Sequence, residues 1–228
     1  MLPCQLNIAI DGPAGAGKSS VARAVALALG LVYLDTGAMY RAITWKALEQ
    51  QLPLTDATQL GSLAATTVFS WGRGQGQIPE LYMDGSPLPA AIRSLEVTSQ
   101  VSLVASYEEV RSVLRQKQRD LGRGQGVIMD GRDIGTTVMP VAALKVFLTA
   151  SLQERAERRL REFGHDISLL PQKMQEMAER DRKDSSRQHS PLSIAADAIV
   201  IDTTGLSLSE VVDLVIKHAE AVCHSKEE

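Results

Sequence analysis

The sequence predicts an α/β protein with a five-stranded parallel sheet flanked by helices and a small antiparallel insertion, on three observations. Five short apolar runs alternate with helix-like spacing, a glycine-rich loop joins the first run to the first helix pattern, and mixed arginine and carboxylate clusters follow the second and third runs. The runs are Leu6–Ile10, Leu31–Leu34, Val127–Met129, Leu144–Leu148 and Ile199–Ile201. None alternates polar with apolar, as expected of strands buried on both faces, and their interleaving with helices implies parallel pairing.

Taken in order, the first run leads into Gly12, Pro13, Ala14, Gly15, Ala16, Gly17, Lys18, Ser19 and Ser20. The spacing fits G-x-x-x-x-G-K-[ST], in which successive backbone N–H groups turn inward toward phosphate oxygens. Lys18 can reach the β- and γ-phosphates, the Ser19 hydroxyl can ligate Mg²⁺, and Val21, Val25 and Leu29 mark the helix whose positive end completes the anion site. An apolar strand before and an apolar-periodic helix after are the context this motif needs, so the loop is read as a nucleotide-binding site. By itself it leaves GTPases, transport ATPases and small-molecule kinases open.

The second run is followed by Leu-Asp-Thr-Gly-Ala-Met-Tyr-Arg at 34–41. Residues 53–95 differ in character, with Pro53, Pro79, Pro87 and Pro89, β-rich runs at 66–71 and 81–83, and a turn signal at Asp84-Gly85, which reads as the antiparallel insertion. Residues 94–121 return to helix spacing, with Val97, Val101, Val104, Val110, Val113 and Leu114 as a core stripe. The third run leads to Asp130, Gly131, Arg132 and Asp133. Residues 151–163 start with a Ser cap and a Glu three residues on, then set Arg155, Arg158 and Arg159 on one helical face. Arg180, Asp184 and Arg187 follow i, i+4, i+7 spacing and share a face if the helix extends that far. Surface ion pairing, or helix capping by Asp35, Thr36 and Asp133, is the plainer account of such clusters. The two clusters that follow the second and third runs sit at strand tips facing the phosphate loop, which favours function, because open parallel sheets bind ligands there; the cluster at 179–187 is read as functional beside them.

Composition narrows the class. A chain of 228 residues with 44% hydrophobic residues can bury one substantial core, so one domain is expected. A net charge of −3 does not point to nucleic acid. Arginine outnumbers lysine 16 to 8, and the planar guanidinium fork suits bidentate grip on phosphate. Cys4 and Cys223 have no metal or disulfide spacing and are expected to be reduced, residues 225–228 are expected to be disordered, and no stretch approaches the ~18 apolar residues of a membrane span. A cytoplasmic protein is the expectation.

The motifs at 12–19, 34–41, 130–136 (Asp-Gly-Arg-Asp-Ile-Gly-Thr) and 180–187 (Arg-Asp-x-Lys-Asp-Ser-Ser-Arg) together resemble the bacterial cytidylate kinases, over almost the whole length. The resemblance implies the P-loop kinase fold as a single domain over 1–228, with a nucleoside-monophosphate-binding subdomain at 36–100 and an arginine-rich lid at 151–170. It implies γ-phosphoryl transfer from ATP to CMP or dCMP with Mg²⁺ held at Ser19, catalysis by Lys18, Arg132, Arg155, Arg158 and Arg159, and a protein that works as a monomer on small molecules, away from nucleic acid and membrane. It further implies CMP binding at Asp35, with Thr36, Arg41, Arg93 and Arg132 as phosphate ligands, Ser102, Arg111 and Asp133 for cytosine, and Arg180, Asp184 and Arg187 for sugar and phosphate. Thr36, often Ser in that family, and Lys183, often Arg, are small departures; Lys183 loses bidentate grip.

The chemistry agrees. A phosphate acceptor with second pKa near ~6 is already mostly dianionic at neutral pH, so positive charge is needed rather than a base. A kinase for a hydroxyl acceptor stays open, with Asp130 or Asp35 as base. A GTPase-type switch is excluded, since Asn7 is the sole asparagine and the guanine-reading Asn-Lys-x-Asp cannot exist; a Leu-Ser-Gly-Gly-Gln-like transport motif is also absent.

Overall fold

A computed structural model describes residues 6–72 and 79–224. β1 (Asn7–Asp11), β2 (Val32–Asp35), β6 (Val127–Gly131), β7 (Leu144–Thr149) and β8 (Ile199–Asp202) form a five-stranded sheet in the order β2-β6-β1-β7-β8. Pairing is parallel, with Ile10 opposite Asp130 on one side and Val146 on the other. All five expected strands are present, and each runs one or two residues further toward its carboxyl end. The strands on either side of β1 leave in opposite senses of chain order, so the end of β1 is a switch point of the topology and the phosphate loop begins there.

The chain divides into two compact units, Met1–Leu31 with Gly126–Glu228, and Val32–Gln125. In the first, α1 (Lys18–Leu29) buries Val21, Ala22, Val25 and Ala26, and packs against β6 and α8 (Leu208–His224), whose own buried face is Val211, Val215 and Ala219. α6 (Leu152–Glu162) starts at the Ser151 cap, whose Oγ accepts from Glu154 N–H, and pairs with α7 (Leu170–Ser185). Cys4 and residues 225–228 lie outside the described residues.

In the second unit α2 (Thr36–Glu49) follows its strand without a loop, because Asp35 accepts Ala38 N–H and caps the helix. The insertion does contain a three-stranded antiparallel sheet: β3 (Phe69–Gly72), β4 (Glu80–Met83) and β5 (Ser86–Pro87), with Phe69 opposite Met83. It also holds α3 (Ala57–Thr66), capped by Asp56 and unforeseen because Gly61 in its middle lowers helix propensity. The stripe at 94–121 is broken into α4 (Leu95–Val104) and α5 (Glu108–Leu121). No glycine or proline marks the break; buried Arg111 donates to Ala105 O at 2.9 Å and Ser106 Oγ to Leu103 O at 2.7 Å, so side chains satisfy the carbonyls that a continuous helix would have used.

Gly12 has φ 145°, and a Cβ on it would stand 2.0 Å from Leu148 O. The turn out of β1 therefore requires glycine twice over, for conformation and for space. Gly12→Ala is expected to lower unfolding free energy by at least ~1–3 kcal/mol, read from the urea midpoint; an unchanged midpoint would mean that the loop leaves β1 by another path.

Candidate functional site

The phosphate loop wraps Lys18, which is 6% exposed and donates through Nζ to Pro13 O at 2.8 Å. Burial, then the neighbouring Arg132, pushes its pKa down to about 7, against the pull of Asp130 and Asp11. Ser19 Oγ donates to Asp130 Oδ2 at 2.9 Å, joining the loop to the end of β6, where Asp130 is 4% exposed. The adjoining Arg132 donates from Nε to Asp184 Oδ2 at 2.9 Å, while Arg187 donates to Asp184 Oδ1. Asp184 is buried; burial alone raises its pKa, but Arg132, Arg187 and Arg180 outweigh it and hold the carboxylate below its usual range. α7 ends at Ser185, so Arg187 lies just past the helix and returns to Asp184 from there. Asp133 is buried beside the next turn.

The three arginines of α6 do not act together in this structure. Arg155 is buried and donates to Ala150 O at 3.0 Å, Ala14 O at 3.1 Å and Asp181 at 2.5 Å. Arg158 reaches Glu154 and both oxygens of Thr203, the residue after β8. Arg159 pairs with Glu162 and lies 4.6 Å from the Phe163 ring.

In the second unit, Asp35 is a cap and an arginine anchor at once. Its Oδ2 accepts from Arg41 at 2.7 Å and Arg93 at 3.2 Å, and these cations overcome burial to hold its pKa below the usual range. Thr36 is buried beside it, Ser102 is half-buried on α4, and Arg111 is 1% exposed with its guanidinium 5.4 Å from the Tyr40 ring centre.

Sequence reasoning missed Asp11 and Thr203, and read Asp181 within the motif at 180–187 without its partner Arg155. The signal for Asp11 was an acid closing a buried strand; Thr203 carried none. It gave Asp130 no partner in Ser19, although an acid at the tip of an apolar strand is the place to look for one.

A phosphate loop at the switch point of a parallel sheet, a buried lysine within it, and arginines anchored around it define a P-loop protein of the kinase type. A family model described as cytidylate kinase matches residues 8–221. The bifunctional pantoate ligase/cytidylate kinase of Synechococcus sp. (strain JA-3-3Ab) is 54% identical over 215 residues, which is 92% of this chain and 40% of that protein. This chain thus spans about two fifths of such bifunctional relatives. The cytidylate kinase of Desulforamulus reducens is 50% identical over 216 residues, 93% of this chain and 96% of that one. An uncharacterized protein from Eubacterium ventriosum ATCC 27560 superposes with a TM-score of 0.53 at 12% identity, covering 95% of this chain and 99% of that chain, a likeness of fold alone. The chain belongs to the cytidylate kinase family, a family of nucleoside-monophosphate kinases. Among the described residues no helix is long and apolar enough to cross a membrane.

The depressed pKa of Lys18 has a calorimetric consequence. A lysine lowered from 10.5 to about 7 is mostly neutral at pH 8, and stability in the free protein rises with pH between those values because the unfolded chain binds the extra proton. A polyphosphate beside Nζ favours the ammonium form, so binding of MgATP at pH 8 is expected to take up close to one proton, and less at pH 6. Titration in buffers of different ionisation enthalpy measures this; equal uptake by Lys18→Met would assign the proton elsewhere.

Proposed function

We propose that this chain transfers the γ-phosphoryl group of ATP to CMP or dCMP, giving ADP and CDP or dCDP. The observation that supports this most directly is that Lys18 of the phosphate loop feels both Arg132 and Arg180, two cations gathered around Asp184. Positive charge of this density suits two phosphate groups meeting, one from each nucleotide, whose mutual repulsion must be overcome before in-line transfer.

In this reading residues 12–20 hold the ATP polyphosphate, and Lys18 meets charge that develops on the transferring group. Ser19 and Asp130 supply the hard oxygen donors that suit Mg²⁺, 2.9 Å apart beside the phosphate loop. The ion, when bound, neutralises phosphate charge. Thr36, Arg41, Arg93 and Arg132 receive the CMP phosphate, with Asp35 orienting two of the arginines. Ser102, Arg111 and Asp133 read cytosine, and Arg180, Asp184 and Arg187 hold its sugar and phosphate. The subdomain at 36–100 and the lid at 151–170 are assigned accordingly. Arg159 is held by Glu162 and Arg158 in part by Glu154, carboxylates exposed enough for a phosphate to replace them at small cost, while Arg158 also donates to buried Thr203. Arg155, engaged by Ala14 O and Asp181, works on the shape of the loop, so the transition-state contact is assigned to one of the other two. Work on small nucleotides, as a monomer in the cytoplasm, completes the reading.

A coupled ADP-release assay across the common (deoxy)nucleoside monophosphates tests it: turnover is expected with CMP and dCMP, and lower efficiency with UMP. Asp133→Ala is expected to narrow the CMP over UMP preference by about 1–3 kcal/mol, since a carboxylate accepts from the cytosine amino group and repels the uracil oxygen. Preference for another base in the wild type would displace the assignment.

Asp184→Ala separates sugar recognition from ion pairing. Impaired turnover of CMP with a smaller loss for dCMP is expected if the carboxylate accepts from the 2′-hydroxyl. An equal loss with both substrates, together with a lower melting temperature, would leave Asp184 as the anchor of Arg132 and Arg187 alone.

A further inference from the structure

β1 ends on Asp11, a carboxylate only 5% exposed that the roles above do not use. Its Oδ1 accepts Ile134 N–H at 2.8 Å and its Oδ2 accepts Gly135 N–H at 2.7 Å. In the ladder with β6, the same Asp11 stands opposite Gly131. The chain between these two anchor points consists of Arg132 and Asp133, so both side chains ride on a two-residue arch pinned at each end by one residue. The space is closed as well: a Cβ on Gly135 would stand 3.1 Å from Lys145 Cδ and 3.3 Å from Asp11 Oδ2.

Keeping an acid here is unfavourable. Burial raises its pKa to about 6, the two N–H groups and Lys18 pull it down, and Asp133 pushes it up. A neutral apolar residue fills such a strand end without that desolvation, but leaves two buried N–H donors unanswered. Asparagine answers one of them and turns its own N–H₂ toward the other.

We propose that Asp11 is a positioning residue for the acceptor nucleotide: by holding the Ile134 and Gly135 amides it fixes the Arg132–Asp133 arch in the geometry that receives the monophosphate. The inference rests on the assignment of Arg132 and Asp133 to CMP. It explains why the donor loop and the acceptor arch spring from the two ends of a single residue, Gly12 following it in the chain and the arch bonded to its side chain. Asp11 bonds directly to the arch and acts on Lys18 only through space, so its larger effect is on affinity for the acceptor.

The experiment compares Asp11→Asn and Gly135→Ala with the wild-type chain in two readouts, steady-state kinetics for each substrate and hydrogen exchange at the Ile134 and Gly135 amides. Asp11→Asn is expected to raise the CMP KM by ~10-fold or more while the ATP KM changes less than ~3-fold, with faster exchange at whichever of the two amides faces the new N–H₂ group. Gly135→Ala, which leaves the carboxylate in place but crowds it, is expected to shift CMP KM in the same direction and stands in if the asparagine variant does not fold. Unchanged exchange in Asp11→Asn, or a parallel rise in both KM values, overturns the proposal. A wild-type chain without CMP turnover would instead overturn the functional assignment, and the exchange measurement would still decide whether Asp11 holds the arch.

Discussion

A cation taken out of water governs the first unit. Lys18 is buried next to Arg132 and Arg180, and its charge is answered by the Pro13 carbonyl, Asp130 and Asp11. Ion pairs of this kind contribute little net stability once desolvation is counted, and breaking one leaves a buried charge uncompensated. On the proposed function their value lies in geometry: carboxylates hold the guanidinium groups in place beforehand, so less reorganisation remains for the moment of transfer. The same constraint explains why the arginines come with carboxylates throughout. Asp184 answers Arg132 and Arg187, Asp181 answers Arg155, and Glu154 answers Arg158.

The second unit reaches the same end by helix physics. Asp35 caps α2 through Ala38 N–H, and the capping geometry fixes the direction of its other oxygen. Arg41, on the same helix, and Arg93, from the turn before α4, converge on that oxygen. A residue that the local chain needs for starting a helix thereby orients two cations, which ties the site's preorganisation to secondary structure rather than to loops.

What could be read from the sequence follows the range of the forces involved. Strands buried on both faces announce themselves by apolar runs, and the phosphate loop by fixed glycine spacing, so five strands and the nest were legible. α3 and the break between α4 and α5 depend on contacts made by Asp56, Ser106 and Arg111 that weak local propensity does not report. Arg180 and Asp184 do lie on one helix, as their spacing indicated. Partners brought from distant segments were not: Arg132 on Asp184 and Asp181 on Arg155 are separated by 52 and 26 residues. The face shared by Arg155, Arg158 and Arg159 was real as spacing, but Arg155 turns to the phosphate loop and α7 and Arg158 to Thr203, partners that helical periodicity cannot foresee, while Arg159 pairs with Glu162 on its own helix.

The carboxylates also bear on which acceptor the chemistry suits. Phosphoryl transfer to a sugar-type hydroxyl calls for a base with an open lone pair near the acceptor. Asp35 has Oδ1 on Ala38 N–H and Oδ2 on two arginines, and is held below the usual carboxylate range, which makes it a poor proton acceptor. Asp130 has Oδ2 occupied by the Ser19 hydroxyl. Asp11 is raised to about 6, yet both of its oxygens accept backbone N–H groups. Each acid at these strand ends is thus committed to holding a donor. A phosphate acceptor brings its own anionic oxygen and asks only for cations to receive it, and arginines fixed by carboxylates are what the fold supplies.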